Sequence, residues 1–220
     1  MSSSSTPATG QHFEYLAART KQEPALLGEL RAAALEEGLP PIWISPEQAS
    51  LLQILLRLKG AREVVEVGTL GGYSAIAMAQ ALPEGGRLRT IEIDAKHADF
   101  ARRWAERAGL GHVIEVVNAP GAEALPAIPD RSVDAVFLDA DKGGYAGYLE
   151  EAKRFLVPGA LVLVDNAFAF GQLFDAAPTD REVGAVRAFN DHMAAQTDVH
   201  AIIVPMGDGL WVGVYEPEPA

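Results

Sequence analysis

Asp139, Asp165 and Asn166 each stand at the downstream end of a strongly apolar run, V-D-A-V-F-L-D for the first and G-A-L-V-L-V-D-N for the other two. Short runs of Val, Leu and Phe read as buried strands of a parallel sheet. Carboxylates at the carboxyl ends of such strands fall where open α/β sheets bind ligands. Two carboxylates and an amide oxygen form a hard donor set that suits Mg, or alternatively Mn or Ca, rather than Zn. A single Asp at a strand end is more often a turn or a helix cap. Three such oxygens together, with Lys142 three residues after the first, read as a site.

A second constellation lies upstream. Residues Glu66 to Gly72 read E-V-G-T-L-G-G between a strand-like V-V-E-V and a helix-like segment. The loop is close to the fingerprint G-x-G-x-x-G, with Glu66 in place of the first Gly. Gly68 and Gly71 let the backbone turn tightly and approach a ligand. The following helix start offers free amide donors. Glu92 ends the next strand, where a ribose-binding carboxylate belongs. Asp94 is the competing acid, better read as the N-cap of a helix from Ala95. A carboxylate at Glu66 would repel a pyrophosphate and suits a cationic or zwitterionic ligand. The plainer alternative is that Gly71 and Gly72 only permit close helix–sheet packing.

The elements that carry these residues alternate. From Glu63 onward, strands V-V-E-V, L-R-T-I-E-I, V-I-E-V-V, A-V-F-L and L-V-L-V are separated by helical segments at Tyr73–Leu82, Ala95–Ala108, near Ala122, and Tyr145–Phe155. Strict alternation predicts right-handed crossovers and a doubly wound parallel α/β sheet. After a loop from Ala167 to Pro178, Thr179 with Glu182 reads as a capping box opening a helix to about Ala195. The last strands, A-I-I-V and L-W-V-G-V, are joined by P-M-G-D-G, too short for a crossover, so they pair antiparallel. Upstream, Gln11 to Gly38 reads as two helices broken near Pro24. Ser45, Pro46 and Gln48 then open a third helix as N-cap, first position and capping-box partner.

At 220 residues the chain fits one domain, residues 11–220, with an N-terminal helical cap at 11–44 and a disordered tail at 1–10. A formal net charge of −12 disfavours nucleic acid, whose binding draws affinity from phosphate contacts. The chain has no Cys, which excludes disulfides and thiolate metal sites. No apolar run approaches transmembrane length, and the Ser-rich start is unlike a secretory signal; a cytoplasmic protein without membrane attachment is expected.

In the order E-V-G-T-L-G-G-Y-S, T-I-E-I-D, F-L-D-A-D-K-G-G-Y and L-V-D-N, the chain resembles the cation-dependent O-methyltransferases, the small class I S-adenosylmethionine enzymes of catechol and caffeoyl-CoA type. The likeness runs from about Ile42 to Tyr215. It implies a Rossmann-like seven-stranded sheet of order 3-2-1-4-5-7-6, strand 7 antiparallel, with helices on both faces. It implies S-adenosylmethionine as cofactor, its methionine end against Glu66, Gly68, Tyr73 and Ser74 and its ribose at Glu92. Ile42 and Ile44 match a segment that closes over the cofactor, and Asp141 lies beside it. Asp139, Asp165 and Asn166 match the Mg-type ligands and Lys142 the catalytic lysine, with Asp139 also at the reacting centre and the cofactor. The family usually carries G-x-A after strand 3, near adenine. This chain reads A-P-G at Ala119 to Gly121, which leaves Gly121 as a backbone contact.

The expected reaction is methyl transfer to a hydroxyl of a small vicinal-dihydroxy acceptor that chelates the metal, in an enzyme expected to be a homodimer. Trp43, Phe168, Phe170 and Phe174 are candidates for an aromatic acceptor wall, with core or dimer interface as the equal reading. Three other readings stay open: a tRNA hydroxyuridine O-methyltransferase of the same family, a nicotinamide-dependent oxidoreductase, and a non-catalytic cofactor-binding protein.

Overall fold

The computed structural model describes residues 9–218. The expected tail at 1–10 lies mostly outside this range, and Gly10 already belongs to the first helix. The cap comprises α1 (Gly10–Ala17), α2 (Ala25–Glu36) and α3 (Pro46–Lys59). In α3 the capping box forms as the sequence predicts: Gln48 N donates to Ser45 Oγ at 3.2 Å, and Ser45 N donates to Gln48 Oε1 at 3.0 Å. Gly60, at φ 68°, ends the helix in the left-handed conformation that glycine tolerates.

The remaining elements alternate. They are β1 (Glu63–Val67), α4 (Tyr73–Ala79), β2 (Arg87–Glu92), α5 (Ala95–Arg107), β3 (Ile114–Asn118), α6 (Gly121–Ala124), β4 (Val133–Leu138), α7 (Tyr145–Phe155), β5 (Leu156–Val164), α8 (Val183–Ala194), β6 (Val199–Val204) and β7 (Leu210–Tyr215). The seven strands form one sheet of order β3-β2-β1-β4-β5-β7-β6, with β7 antiparallel to both neighbours. Along β4 and β5 successive residues face opposite ways. Ala135, Phe137, Leu161 and Leu163 join the core beneath α2–α5, while Val136, Leu138, Val162 and Val164 join the core beneath α7 and α8. Burial on both faces is why these strands are continuous apolar runs.

β5 begins at Leu156, five residues before the expected L-V-L-V, and two helix boundaries also differ for identifiable reasons. α4 stops at Ala79 rather than Leu82, because Ala81 and Leu82 take tighter turn bonds to Met78 and Ala79 before Pro83. α8 starts at Val183 rather than beside Thr179. The Thr179–Glu182 capping box does not form: Thr179 N and Oγ1 both donate to Gln172 Oε1, at 2.7 and 3.2 Å, and Glu182 accepts from Lys142 N at 3.3 Å.

Candidate active site

The sheet register collects the candidate residues in one row. Val67 pairs with Ile91 on one side and with Leu138 on the other, and Leu138 pairs with Val164. The next residue of each strand is therefore Glu92, Gly68, Asp139 and Asp165, side by side at the carboxyl edge. The order reverses between β1 and β4, the switch point where open α/β sheets bind ligands. Above this row lies a cavity of about 910 Å³, lined by the loop after β1, the ends of β2, β4 and β5, residues 40–45 and the β6–β7 turn.

On the β1–β2 side the backbone is fixed by close contacts. Gly68 sits at φ 98°, and a Cβ there would lie 2.0 Å from the Asp139 carbonyl oxygen, so no other residue fits. Gly71 and Gly72 serve packing: a Cβ at either would press on Phe100 or Ala101 of α5 at 3.2 Å. Gly72 stays off the cavity, as the plainer reading has it, while Gly71 packs on Phe100 and also lines the cavity beside Gly68. Glu92 Oε2 accepts from Thr69 N at 3.2 Å and Leu70 N at 2.7 Å, while Oε1 accepts from Asp94 N at 2.9 Å. Glu92 lines the cavity and braces the glycine loop at once. Asp94 caps α5, as read from the sequence.

Glu66 does not reach the cavity. It is fully buried beneath the wall, where Ser74 Oγ donates to one oxygen and Thr90 Oγ1 to the other at 2.5 Å. Burial pushes its carboxyl up to about 8 despite those two hydroxyls. Ser74 and Tyr73 line the cavity in its place, and Tyr73 donates its hydroxyl to Glu23 Oε1 at 2.7 Å. Gly121, at the start of α6, packs against Tyr148, whose hydroxyl donates to Asp141 Oδ1 at 2.7 Å. Gly121, Tyr148 and Asp141 line the cavity too, as do Ile42 at its mouth, 69% exposed, and the buried Ile44.

The β4–β5 side is held by side chains. Lys142, itself buried, donates from Nζ to Asp139 Oδ1 at 3.1 Å and to the Tyr145 hydroxyl at 2.6 Å. Gln48 Nε2 donates to Asp165 Oδ1 at 2.7 Å. Asn166, in the left-handed region at φ 66°, gives Nδ2 to Asp208 Oδ2 at 3.1 Å, which leaves its carbonyl oxygen for a ligand. Burial raises the carboxyl of Asp139 against the opposing pull of Lys142. Burial, and then the Asp139 charge, raise Asp165 to about 7. Two carboxylates whose charge is disfavoured, beside a free amide oxygen, suit a hard divalent cation. Among the described residues no group of three His, Cys, Asp or Glu side chains could hold a metal ion.

Of the four aromatics expected at an acceptor wall, Trp43 and Phe170 line the cavity. Phe168 instead packs beneath Gly209, and Phe174 is 94% exposed away from it. Sequence reasoning missed Asp208 and Tyr145, and it read Gln48 only as a helix cap. Asp208 was hidden in a turn read only for its length. Tyr145 offered one signal, its position one helical step beyond Lys142.

The O-methyltransferase family profile matches residues 17–214. A catechol O-methyltransferase of Niastella koreensis is 39% identical over 198 residues, covering 89% of this chain and 87% of its own. The crystal structure of an O-methyltransferase from Bacillus cereus in complex with SAH superposes with a TM-score of 0.84 at 33% identity, covering 93% of this chain and 96% of that one. The O-methyltransferase TomG of Streptomyces achromogenes, involved in tomaymycin synthesis and solved in complex with SAM, gives 0.83 at 32% identity, covering 94% and 96%. With its sheet order, its row of strand-end side chains and these matches, the chain belongs to the O-methyltransferase family.

Proposed function

We propose that the protein transfers a methyl group from S-adenosylmethionine to one hydroxyl of a small catechol-like acceptor, with a divalent cation (Mg, or Mn or Ca) held by Asp139, Asp165 and Asn166. The observation that carries this reading is Lys142 Nζ, buried against Asp139 in the same cavity as Glu92 and the glycine loop. When bound, S-adenosylmethionine supplies an electrophilic methyl group, and the cation lowers the pKa of an acceptor hydroxyl. The chain's own residues do the rest. Glu92 receives the ribose while holding the loop, and Tyr73 and Ser74 receive the methionine end, with Glu66 acting on it only through Ser74. As the neutral amine, Lys142 spends both N–H donors on Asp139 and Tyr145 and keeps one lone pair, with which Nζ takes the acceptor's proton. Trp43 and Phe170 flank the acceptor ring and exclude water.

The family assignment sets aside the oxidoreductase expectation. The lining also argues against a tRNA acceptor: Asp180, Glu182 and Asp208 face the cavity, and among the described residues Lys142 is its only Lys or Arg. No helix among the described residues is long and apolar enough to cross a membrane. A cytoplasmic homodimer completes the proposal. Ile54 and Leu58, exposed one turn apart on α3, offer a second copy an apolar strip. The test mixes catechol or the matching phenol with labelled S-adenosylmethionine, with Mg and with chelator. Methylation of catechol alone, abolished by chelator and restored by Mg, is expected. Equal kcat/KM for catechol and phenol, or full turnover without metal, would overturn the reading.

A further inference from the structure

The side chain of Gln48 does two jobs at once. Its oxygen accepts from Ser45 N at 3.0 Å, closing the capping box of α3. Its nitrogen donates to Asp165 Oδ1 at 2.7 Å, across 117 residues of sequence. The two bonds fix the amide's orientation, since an N–H at Ser45 needs the oxygen and a carboxylate needs the donor. Gln48 is 3% exposed. It is also gripped from the far side: Gly207 sits at φ 58°, and a Cβ there would lie 2.2 Å from Gln48 Oε1. The residue after it, Asp208, holds Asn166. The amide thus joins three pieces: residues 42–45, which wall the cofactor end of the cavity, the β6–β7 turn, and Asp165.

We infer that Gln48 is a positioning residue that couples the cavity's cofactor side to its metal side. This rests on the proposed metal set. A capping box alone needs only Ser and Gln on one helix turn, and many surface helices have one. Here the Gln48 side of the box is buried, and its amide nitrogen is spent on a carboxylate of the candidate metal set. A ligand that orders residues 42–45 also sets Ser45, hence the Gln48 amide, hence the rotamer of Asp165. Groups that hold metal-binding side chains in place typically change metal affinity by about 10–100-fold when removed. The coupling is reciprocal, so cofactor tightens metal by the factor that metal tightens cofactor.

The experiment titrates Mn into the full-length protein by calorimetry, with and without S-adenosylhomocysteine, for wild type, Gln48→Leu and Ser45→Ala. Wild type should bind Mn more tightly with S-adenosylhomocysteine present. Gln48→Leu should bind Mn about 10–100-fold more weakly and lose the effect of the cofactor product. Ser45→Ala breaks the cap but keeps the bond to Asp165. It should lower Tm while leaving Mn affinity within about two-fold of wild type, well short of the loss expected when that bond goes. Equal Mn affinity in wild type and Gln48→Leu would overturn the inference and leave the metal reading standing. So would an equal loss in Ser45→Ala, which would reduce Gln48 to helix stability. A wild type that binds no Mn at all would overturn the metal reading, and the inference with it.

Discussion

The two halves of the cavity are built on opposite plans. On the β1–β2 side the charged group at the wall, Glu92, is satisfied by three backbone amides, and the backbone that provides them is locked by Gly68 against Asp139. On the β4–β5 side the charged groups Asp139 and Asp165 are met by two side-chain nitrogens, Lys142 and Gln48, and both carboxyls are pushed upward. Backbone donors cannot leave, so the first half is a finished receptor for a ligand of fixed shape. Side-chain donors can re-pair, so on the proposed function this is the half that takes up a metal and a substrate. Binding and chemistry are therefore separable by mutation.

The sharpest test of that separation is Lys142→Met, which should have the largest effect. Its Nζ touches Asp139 and Tyr145 and no group of the cofactor loop. Loss of a positioned general base costs about 10²–10⁴-fold in rate, so kcat should fall by that amount while cofactor affinity by calorimetry stays within about two-fold. A kcat within a few-fold of wild type at neutral pH would show that proton transfer belongs to another group.

Glu92→Ala probes the other half and should be milder. It removes a hydrogen-bonding charge from the cofactor and frees the amides of Thr69 and Leu70. Cofactor affinity should weaken by about 1.5–3 kcal/mol, with saturated kcat little changed. If the folded variant binds S-adenosylmethionine as wild type does, Glu92 only braces the loop. If kcat falls as far as in Lys142→Met, the two halves are not separable.

The same contrast decides what was legible in the sequence. The strand ends were readable because a strand buried on both faces closes on an apolar run, A-V-F-L in β4 and A-L-V-L-V in β5, and the residue that follows is polar, as at Asp139 and Asp165. The glycine loop was readable because Gly68 answers a backbone demand that no other residue meets. What stayed hidden depended on partners far away in the chain. Gln48 announces its cap locally and its bond to Asp165 not at all. Thr179 and Glu182 have the right spacing for a capping box, but Gln172 and Lys142 compete for their side chains. Glu66 was placed on the right strand and the wrong side of the wall: residue type shows that a carboxylate is present, while Ser74 and Thr90 decide whether it meets the ligand.

Glu66 supplies an effect on stability instead of turnover, and with it the test of how closed the cofactor half is. With its carboxyl at about 8 in the folded protein, against an ordinary value of 4.5, it is protonated in both folded and unfolded chains at low pH. Between about 4.5 and 8 the unfolded chain loses the proton while the folded chain keeps it. The unfolded state then binds fewer protons, so stability falls as pH rises through this window and levels off above it. Glu66→Gln mimics the protonated acid: its oxygen can accept from Ser74, and its nitrogen can donate to Thr90, which passes its own proton to Thr69. The variant should lack this slope. In thermal unfolding from pH 5 to pH 9, wild type should lose ground steadily against Glu66→Gln, by about 10 °C in all, at about 1.4 kcal/mol per pKa unit and about 2–4 °C per kcal/mol. Parallel curves would mean that Glu66 is ionised in the folded state, and that the wall beneath Ser74 is open to water or charge.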